Sequence, residues 1–217
     1  MNGQTQTFNS RNAIEVYDLG FSKDYGVVWH FQKELLSKRI EGKICDSIIV
    51  VEHDHVLTLG RSSHFENVLV KDLPMFEIER GGDVTYHGPG QLVVYLIVSL
   101  QEKNLRVRQF IEILEASIIE AISAMGITQA EGKLGAQTGV WINNTRKIAS
   151  IGVAVSHWVT YHGLALNVNT DLSYFQKIKP CGFESGIMTS IAKELSLERA
   201  DQVRVKDLLV DSLSRRL

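Results

Sequence analysis

The 217-residue sequence predicts a mixed α+β fold: a largely antiparallel sheet flanked by helices, in one domain covering residues 1–217. Three observations carry this expectation. Amphipathic segments repeat at helical spacing, residues 92–100 form a near-continuous apolar run, and the strand-like segments cluster beside one another without a regular β-α-β-α alternation. No internal repeat, low-complexity tract or Pro/Ser linker divides the chain, and its three prolines are scattered.

In chain order, "AIEVYDLG" alternates apolar and polar residues and reads as an edge strand. "DYGVVWHFQKELLSKRIEG" reads as a helix with Val28, Phe31, Leu35 and Ile40 roughly on one face and Gly42 as its stop. "SIIVVEHDHVLTLGR" is apolar and β-branched enough for one central strand, and "MFEIER" for another. After a glycine-rich loop, "LVVYLIVSL" is a buried strand. "RQFIEILEASIIEAISAMG" is the clearest helix: Ile111, Leu114, Ile118, Ile122 and Met125 form a single stripe, and Gly126 ends it. "GVWIN", a turn at Asn143 and Asn144, "RKIASIGVAVSHW" and "HGLALNVNTD" follow as antiparallel strands. "DLSYFQKI" is a short helix, and "RVKDLLVDSLSRRL" closes the chain as an amphipathic one.

Hydrophobic residues at 44% and charged residues at 22% are ordinary for a globular protein. No stretch approaches the roughly 18 apolar residues of a membrane helix. The opening "MNGQTQTFNS" lacks the basic and apolar segments of a secretory signal. With only Cys45 and Cys181 there is no disulfide framework, so a reducing cytoplasm is expected. The 23 basic and 25 acidic residues give a formal net charge of −2, against the basic surplus of a nucleic-acid binder. A local basic patch remains compatible with that total.

"RGGDVTYHGPGQ" is the densest functional signal. Consecutive glycines let a backbone approach another molecule, and they equally suit a tight loop between strands. "GPGQLV" has Val93 where a dinucleotide fingerprint needs its third glycine, and a strand follows it. No phosphate-binding G-x-x-x-x-G-K-[ST] occurs, so ATP and dinucleotide chemistry lack support. His53 and His55 in "EHDHV" would share one strand face; with no third ligand, the reading is strand-end histidines near the surface and no metal. "KIKPCGFESG" sets a cysteine in a rigid turn, which is either packing or a used thiol.

"RGGDVTYHGPGQLVVY" resembles the signature loop of the lipoyl(octanoyl) transferases. "LTLGR" before it, "KIASIGVAVSHWVTYHGLALNVNTDLSYFQKIKPCG" after it and "MTS" near the end are similar to blocks of the same family in the same order. The resemblance covers roughly residues 15–195. His55 stands where that family often shows proline, and Phe183 where isoleucine is common. The resemblance implies a sheet-and-helix fold related to the biotin and lipoate protein ligase catalytic domains. It implies transfer of an octanoyl group from acyl carrier protein to the target lysine of lipoyl domains, those of 2-oxoacid dehydrogenase complexes and of the glycine cleavage H protein. Neither ATP nor a metal cofactor is implied.

The resemblance further implies Cys181 as acyl carrier and Lys147 as its acid–base partner. A free thiol is only a few per cent ionised at neutral pH, and a nearby amine can take its proton. Arg80, Gly81, Gly82, Asp83, Val84, Thr85, Tyr86 and His87 would line the acyl pocket, with Ser150, Ile151, Gly152, Gly163, Leu164 and Ala165 as its other walls. Cys45 is expected to be packing. Arg61, Lys103, Arg106 and Arg108 are candidates for docking acidic partners. Two rivals stay open: an ATP-dependent lipoate or biotin ligase on the same fold, and a non-catalytic module that holds an acylated carrier.

Overall fold

A computed structural model describes residues 14–179 and 185–217. Its elements are β1 (Ile14–Asp18), α1 (Tyr25–Ile40), β2 (Asp46–Val51), β3 (Val56–Leu59), β4 (Met75–Glu77), β5 (Thr85–His87), β6 (Gln91–Ile97), α2 (Val107–Ser123), β7 (Ala130–Lys133), β8 (Gly139–Ile142), β9 (Arg146–Ser156), β10 (Val159–Asn167), α3 (Ile191–Glu194) and α4 (Gln202–Arg216). A 3₁₀ segment covers Leu172–Lys177.

Seven strands form one sheet in the order β1-β2-β6-β10-β9-β8-β7. Only the β1–β2 pair is parallel, so the sheet is mixed and largely antiparallel, as expected. All seven residues of β6 are buried because both faces are covered. Leu92, Val94 and Leu96 pack toward α2 and α4, while Val93, Tyr95 and Ile97 pack toward α1. A second sheet, β4-β3-β5, shares a third apolar cluster with the 3₁₀ segment through Leu57, Tyr86, Phe175 and Ile178.

Local chemistry sets the boundaries. The Asp24 carboxylate accepts from the Val27 N–H and caps α1. At its other end Gly42 sits at φ +69°, Gly42 N–H bonds the Arg39 carbonyl and Lys43 N–H bonds that of Lys38, a Schellman stop. Asn143 and Asn144 take the left-handed turn expected of them. His157 and Trp158 do the same between β9 and β10, with neither the glycine nor the asparagine that advertises such a turn.

Three expectations change. "SIIVVEHDHVLTLGR" is two strands in different sheets, because the polar segment after Val51 is tied elsewhere. Glu52 accepts from Gly90 N–H and Gln202 Nε2, and the His53 ring bonds the Lys23 carbonyl. The α1 stripe is rotated: Ile40 is exposed, and Gln32 and Arg39 are buried with Val28 and Leu35. The α2 helix ends at Ser123, so Met125 lies beyond it, just before Gly126 at φ +104°.

Arg39 carries the main electrostatic tie between α1 and the sheet. Its Nε donates to Asp46 Oδ1 at 2.8 Å, and its two terminal nitrogens grip Glu102. Asp46 also accepts from Ser99 N–H at 2.9 Å and pairs with Lys103 at 3.6 Å. Because Asp46 is 3% exposed and Arg39 6%, removing either partner leaves buried charge without its counter-ion. Asp46→Ala is expected to lower the unfolding free energy by about 3 kcal/mol, measured by urea titration.

Candidate active site

A cavity of about 700 Å³ opens between the large sheet, the segment following β4 and the start of α2. Its walls hold nearly the whole set expected from sequence: Arg80, Gly81, Gly82, Asp83, Val84, Thr85 and His87 on one side, and Ser150, Ile151, Gly152, Gly163, Leu164 and Ala165 on β9 and β10. Lys147, only 5% exposed, is in the same wall. Cys181 lies outside the described residues. Tyr86 is a correction: it does not line the cavity. Alternation on β5 turns Thr85 and His87 inward and Tyr86 into the small sheet's core, where its hydroxyl bonds His55 at 2.8 Å.

The cavity exists because residues 80–82 cross β9 at backbone distance. Gly81 N–H donates to the Val153 carbonyl at 3.0 Å. A side chain on Gly152 would stand 3.0 Å from Arg80 Cδ and 3.1 Å from the Gly81 carbonyl, so the loop would have to give by a few tenths of an ångström. Gly163, paired with Gly152, faces the Val94 carbonyl at a hypothetical 2.2 Å. The Arg80 guanidinium donates to the Thr58 carbonyl and hydroxyl and to the Gly81 carbonyl, so it braces the loop.

Asp83 braces the loop from the other side. Its carboxylate accepts from Val84 N–H, His64 N–H and Asn67 Nδ2. Asn67 in turn accepts Lys179 N–H at 2.8 Å, and Leu69 N–H bonds the Lys177 carbonyl. The chain on the far side of residues 180–184 is held too: Met188 bridges Lys147, and Thr189 N–H donates to the Lys147 carbonyl at 3.0 Å. Asn67 and Met188 both line the cavity, so the described flanks of that segment are fastened at its wall.

Lys147 opens β9 beside a register shift in β8 at Val140 and Trp141. Its Nζ lies 5.5 Å from the Trp141 ring centroid. Gly139 makes room for its stem, since a Cβ there would be 2.9 Å from Lys147 Cε.

Sequence reasoning missed the polar end of the cavity, built from Tyr25, Tyr95 and His162 with His87. His53 Nδ1 faces the Lys23 carbonyl and must donate, so its Nε2 accepts from the Tyr95 hydroxyl at 2.8 Å. Gln91 spends its amide protons on the Tyr86 carbonyl and Asn167; its Oε1 therefore accepts from His87 Nδ1–H at 2.7 Å. Burial pushes His53 down to about 4 and His87 to about 3, and lowers His162 as well. His162 stands at φ +58°, its N–H taken by Gln32 Oε1 instead of a strand neighbour. Being neutral, it makes an ordinary hydrogen bond to Glu79 at 3.4 Å; that bond is the main influence holding the Glu79 carboxyl low. His53 is thus buried within a hydrogen-bond chain, where the sequence suggested a surface position.

Solved structures share this fold. A lipoate-protein ligase A bound with ATP aligns with a TM-score of 0.69 over 94% of this chain and 85% of that one, at 13% identity. The biotin protein ligase of Aquifex aeolicus aligns at 0.52 over 94% and 68%, at 14% identity. The fold is therefore that of the lipoate and biotin ligase catalytic domains.

At the level of sequence, the model of the lipoyl protein ligase A/B catalytic domain matches residues 24–214. The octanoyltransferase of Flavobacterium johnsoniae is 38% identical over 93% of this chain and 95% of its own length. That of Bacteroides thetaiotaomicron is 44% identical over 80% and 83%. The chain belongs to the octanoyltransferases of the lipoyl protein ligase A/B family, and it is an acyltransferase of protein lipoylation.

The neutral histidines generate a pH prediction. Their folded pKa values lie below the ordinary 6.5, so stability intact above pH 6.5 is lost as the pH falls toward 4. Two such groups together give a slope of roughly 2–3 kcal/mol per pH unit below about pH 6. Urea midpoints across pH 5–7 measure it, and a flat profile would contradict the neutral assignment.

Proposed function

We propose that the chain takes an octanoyl group from octanoyl-acyl carrier protein onto Cys181 as a thioester, then delivers it to the target lysine of a lipoyl domain. Lys147 is the acid–base partner in both halves. One observation carries the reading: a nearly buried lysine lines a glycine-rimmed cavity, and the chain on both sides of residues 180–184 is fastened at that cavity's wall.

In the first half the Cys181 thiol proton passes to Lys147 Nζ and the thiolate attacks the donor's thioester carbonyl. The donor C–S bond breaks, and its pantetheine sulfur leaves with that proton. Thioester exchanges for thioester, so no ATP or metal is needed. In the second half the acceptor's neutral amine attacks the Cys181 thioester. The C–S bond breaks, an amide C–N bond forms, and the surplus amine proton returns through Lys147 to the Cys181 sulfur. Thioester to amide runs downhill, which drives the overall transfer.

The dimensions of the cavity support this reading. Lys147 and Val153 both line it, and six residues of strand span roughly 20 Å, longer than an extended eight-carbon chain. The residues of the glycine-rich loop, with Ser150 to Gly152 and Gly163 to Ala165, would enclose the chain. The acceptors would be the lipoyl domains of 2-oxoacid dehydrogenase complexes and the glycine cleavage H protein.

Incubated with octanoyl-acyl carrier protein alone, the chain should gain the mass of one octanoyl group, removable by hydroxylamine. Cys181→Ser should gain none, and Lys147→Ala should acquire it at least about a hundredfold more slowly. Pyrophosphate release from ATP and free octanoate, with no acyl-enzyme, would instead assign the adenylating chemistry of a ligase.

For docking, Arg61, Arg106 and Arg108 are exposed, whereas Lys103 is committed to Asp46 and drops out of the basic set. Arg61→Glu combined with Arg106→Glu should raise KM for the carrier protein about fivefold at low salt, and the difference should shrink as salt screens the charges. Unchanged carrier-protein kinetics at low salt would remove the docking assignment.

A further inference from the structure

A segment at the cavity wall carries side chains that the reaction above does not use. Residues 67–69 run beside residues 177–179: Lys179 N–H donates to the Asn67 carbonyl at 2.8 Å, Leu69 N–H to the Lys177 carbonyl at 2.9 Å, and Val68 bridges Ile178. Val68 and Ile178 point into the third apolar cluster, so alternation turns Leu69 outward. His64 and Asn67 line the cavity. In the same segment Phe65 is 64% exposed, Leu69 51% and Val70 36%. Phe65 opens a 3₁₀ turn, Phe65–Asn67, in which no residue is buried. Three large apolar side chains within six residues thus face water. At their edge Lys71 and Lys179 are exposed and enter no ion pair among the described residues. Lys177 is paired with Asp72, which leaves Glu66 as the opposing charge. The edge is therefore net positive in a chain whose total is −2.

We propose that Phe65, Leu69 and Val70, edged by Lys71 and Lys179, form the docking surface for the acceptor, an acidic lipoyl domain. This rests on the acyl group being handed over at Cys181, two residues from Lys179 in sequence. The two substrates differ in reach. The donor holds its acyl group on a long pantetheine arm, so the carrier protein can stay an arm's length from the cavity. The acceptor offers only the four-carbon stem of a lysine, so the domain that bears it must rest on the cavity rim close to the acyl sulfur. The paired segment 177–179 leads directly toward residue 181, and its partner, residues 67–69, adjoins the exposed apolar group. Covering that group removes apolar surface from water, the usual source of affinity at the centre of an interface. The positive edge orients an acidic partner and speeds its approach.

The test measures binding without chemistry. A nitrogen-15-labelled lipoyl domain, unmodified at its lysine, is titrated with the full chain, and the dissociation constant is read from chemical-shift changes. Acyl carrier protein is titrated in the same way. Phe65→Ser combined with Leu69→Ser should weaken lipoyl-domain binding about tenfold and leave carrier-protein binding within about twofold. Lys71→Glu combined with Lys179→Glu should weaken it about fivefold at low salt, and the difference should shrink as salt is added. All four positions are exposed, so both variants should keep the urea midpoint of the parent chain. Should the serine variant not fold, the charge variant decides alone. Undiminished lipoyl-domain binding in the variants, or no association with the parent chain, overturns the proposal. A loss confined to the carrier protein would give the surface to the donor. A dimer that becomes a monomer in sedimentation, with lipoyl-domain binding unchanged, would give it to a second copy; either result overturns the proposal too. The titrations use the unacylated chain, so a failed acyl-enzyme experiment leaves their outcome separate.

Discussion

The crossing of residues 80–82 over β9 depends on how closely two backbones can approach. The contact is a hydrogen bond from Gly81 to Val153, and it is helped by Gly152, which presents no side chain to the loop. Paired beside Gly152, Gly163 lets β10 settle against β6 without a clash at the Val94 carbonyl. Two neighbouring glycines on neighbouring strands thus create a hollow in what would otherwise be a continuous β-branched surface. The Arg80 and Asp83 side chains fix the loop above that hollow, so its shape comes from the scaffold before any ligand arrives.

The electrostatics of the hollow are divided along its length. At one end three histidines are kept neutral by burial, with proton positions dictated by a carbonyl, an amide oxygen and a carboxylate. That end offers polarity without charge. At the other end stands Lys147, its Nζ 5.5 Å from the Trp141 ring centroid. The cavity thus has the Lys147 amine in one part of its wall and the buried imidazoles in another.

Much of this was legible in the residues, and the gaps have physical reasons. The α2 stripe through Leu114 and Ile118 and the unbroken β6 run follow simple periodicities, so they could be read directly. β7 could not, because "AEGK" has no apolar alternation and is defined by its neighbour. Arg39 and Gln32 looked like solvent-facing helix positions; they are buried because partners distant in sequence satisfy them. The cavity walls were legible through the ordered blocks of the resemblance, whereas Tyr86 sits mid-strand in β5, where alternation turns it away from Thr85 and His87. His162 directly precedes Gly163, but its left-handed backbone has no signature in sequence. Glu115 is buried on α2 beside Leu114 and Ile118, and a single carboxylate in that segment carries no sign of burial in the sequence.

β7 is the outer edge of the large sheet, and such an edge offers unpaired backbone groups to any passing strand. Here the edge is four residues long, carries Glu131 and Lys133 on one side, and has at its centre a glycine that cannot be enlarged without striking Glu115. A short, charged, side-chain-poor border is a weak template for strand addition. The packing demand beneath the sheet therefore also guards the chain against aggregation through that border.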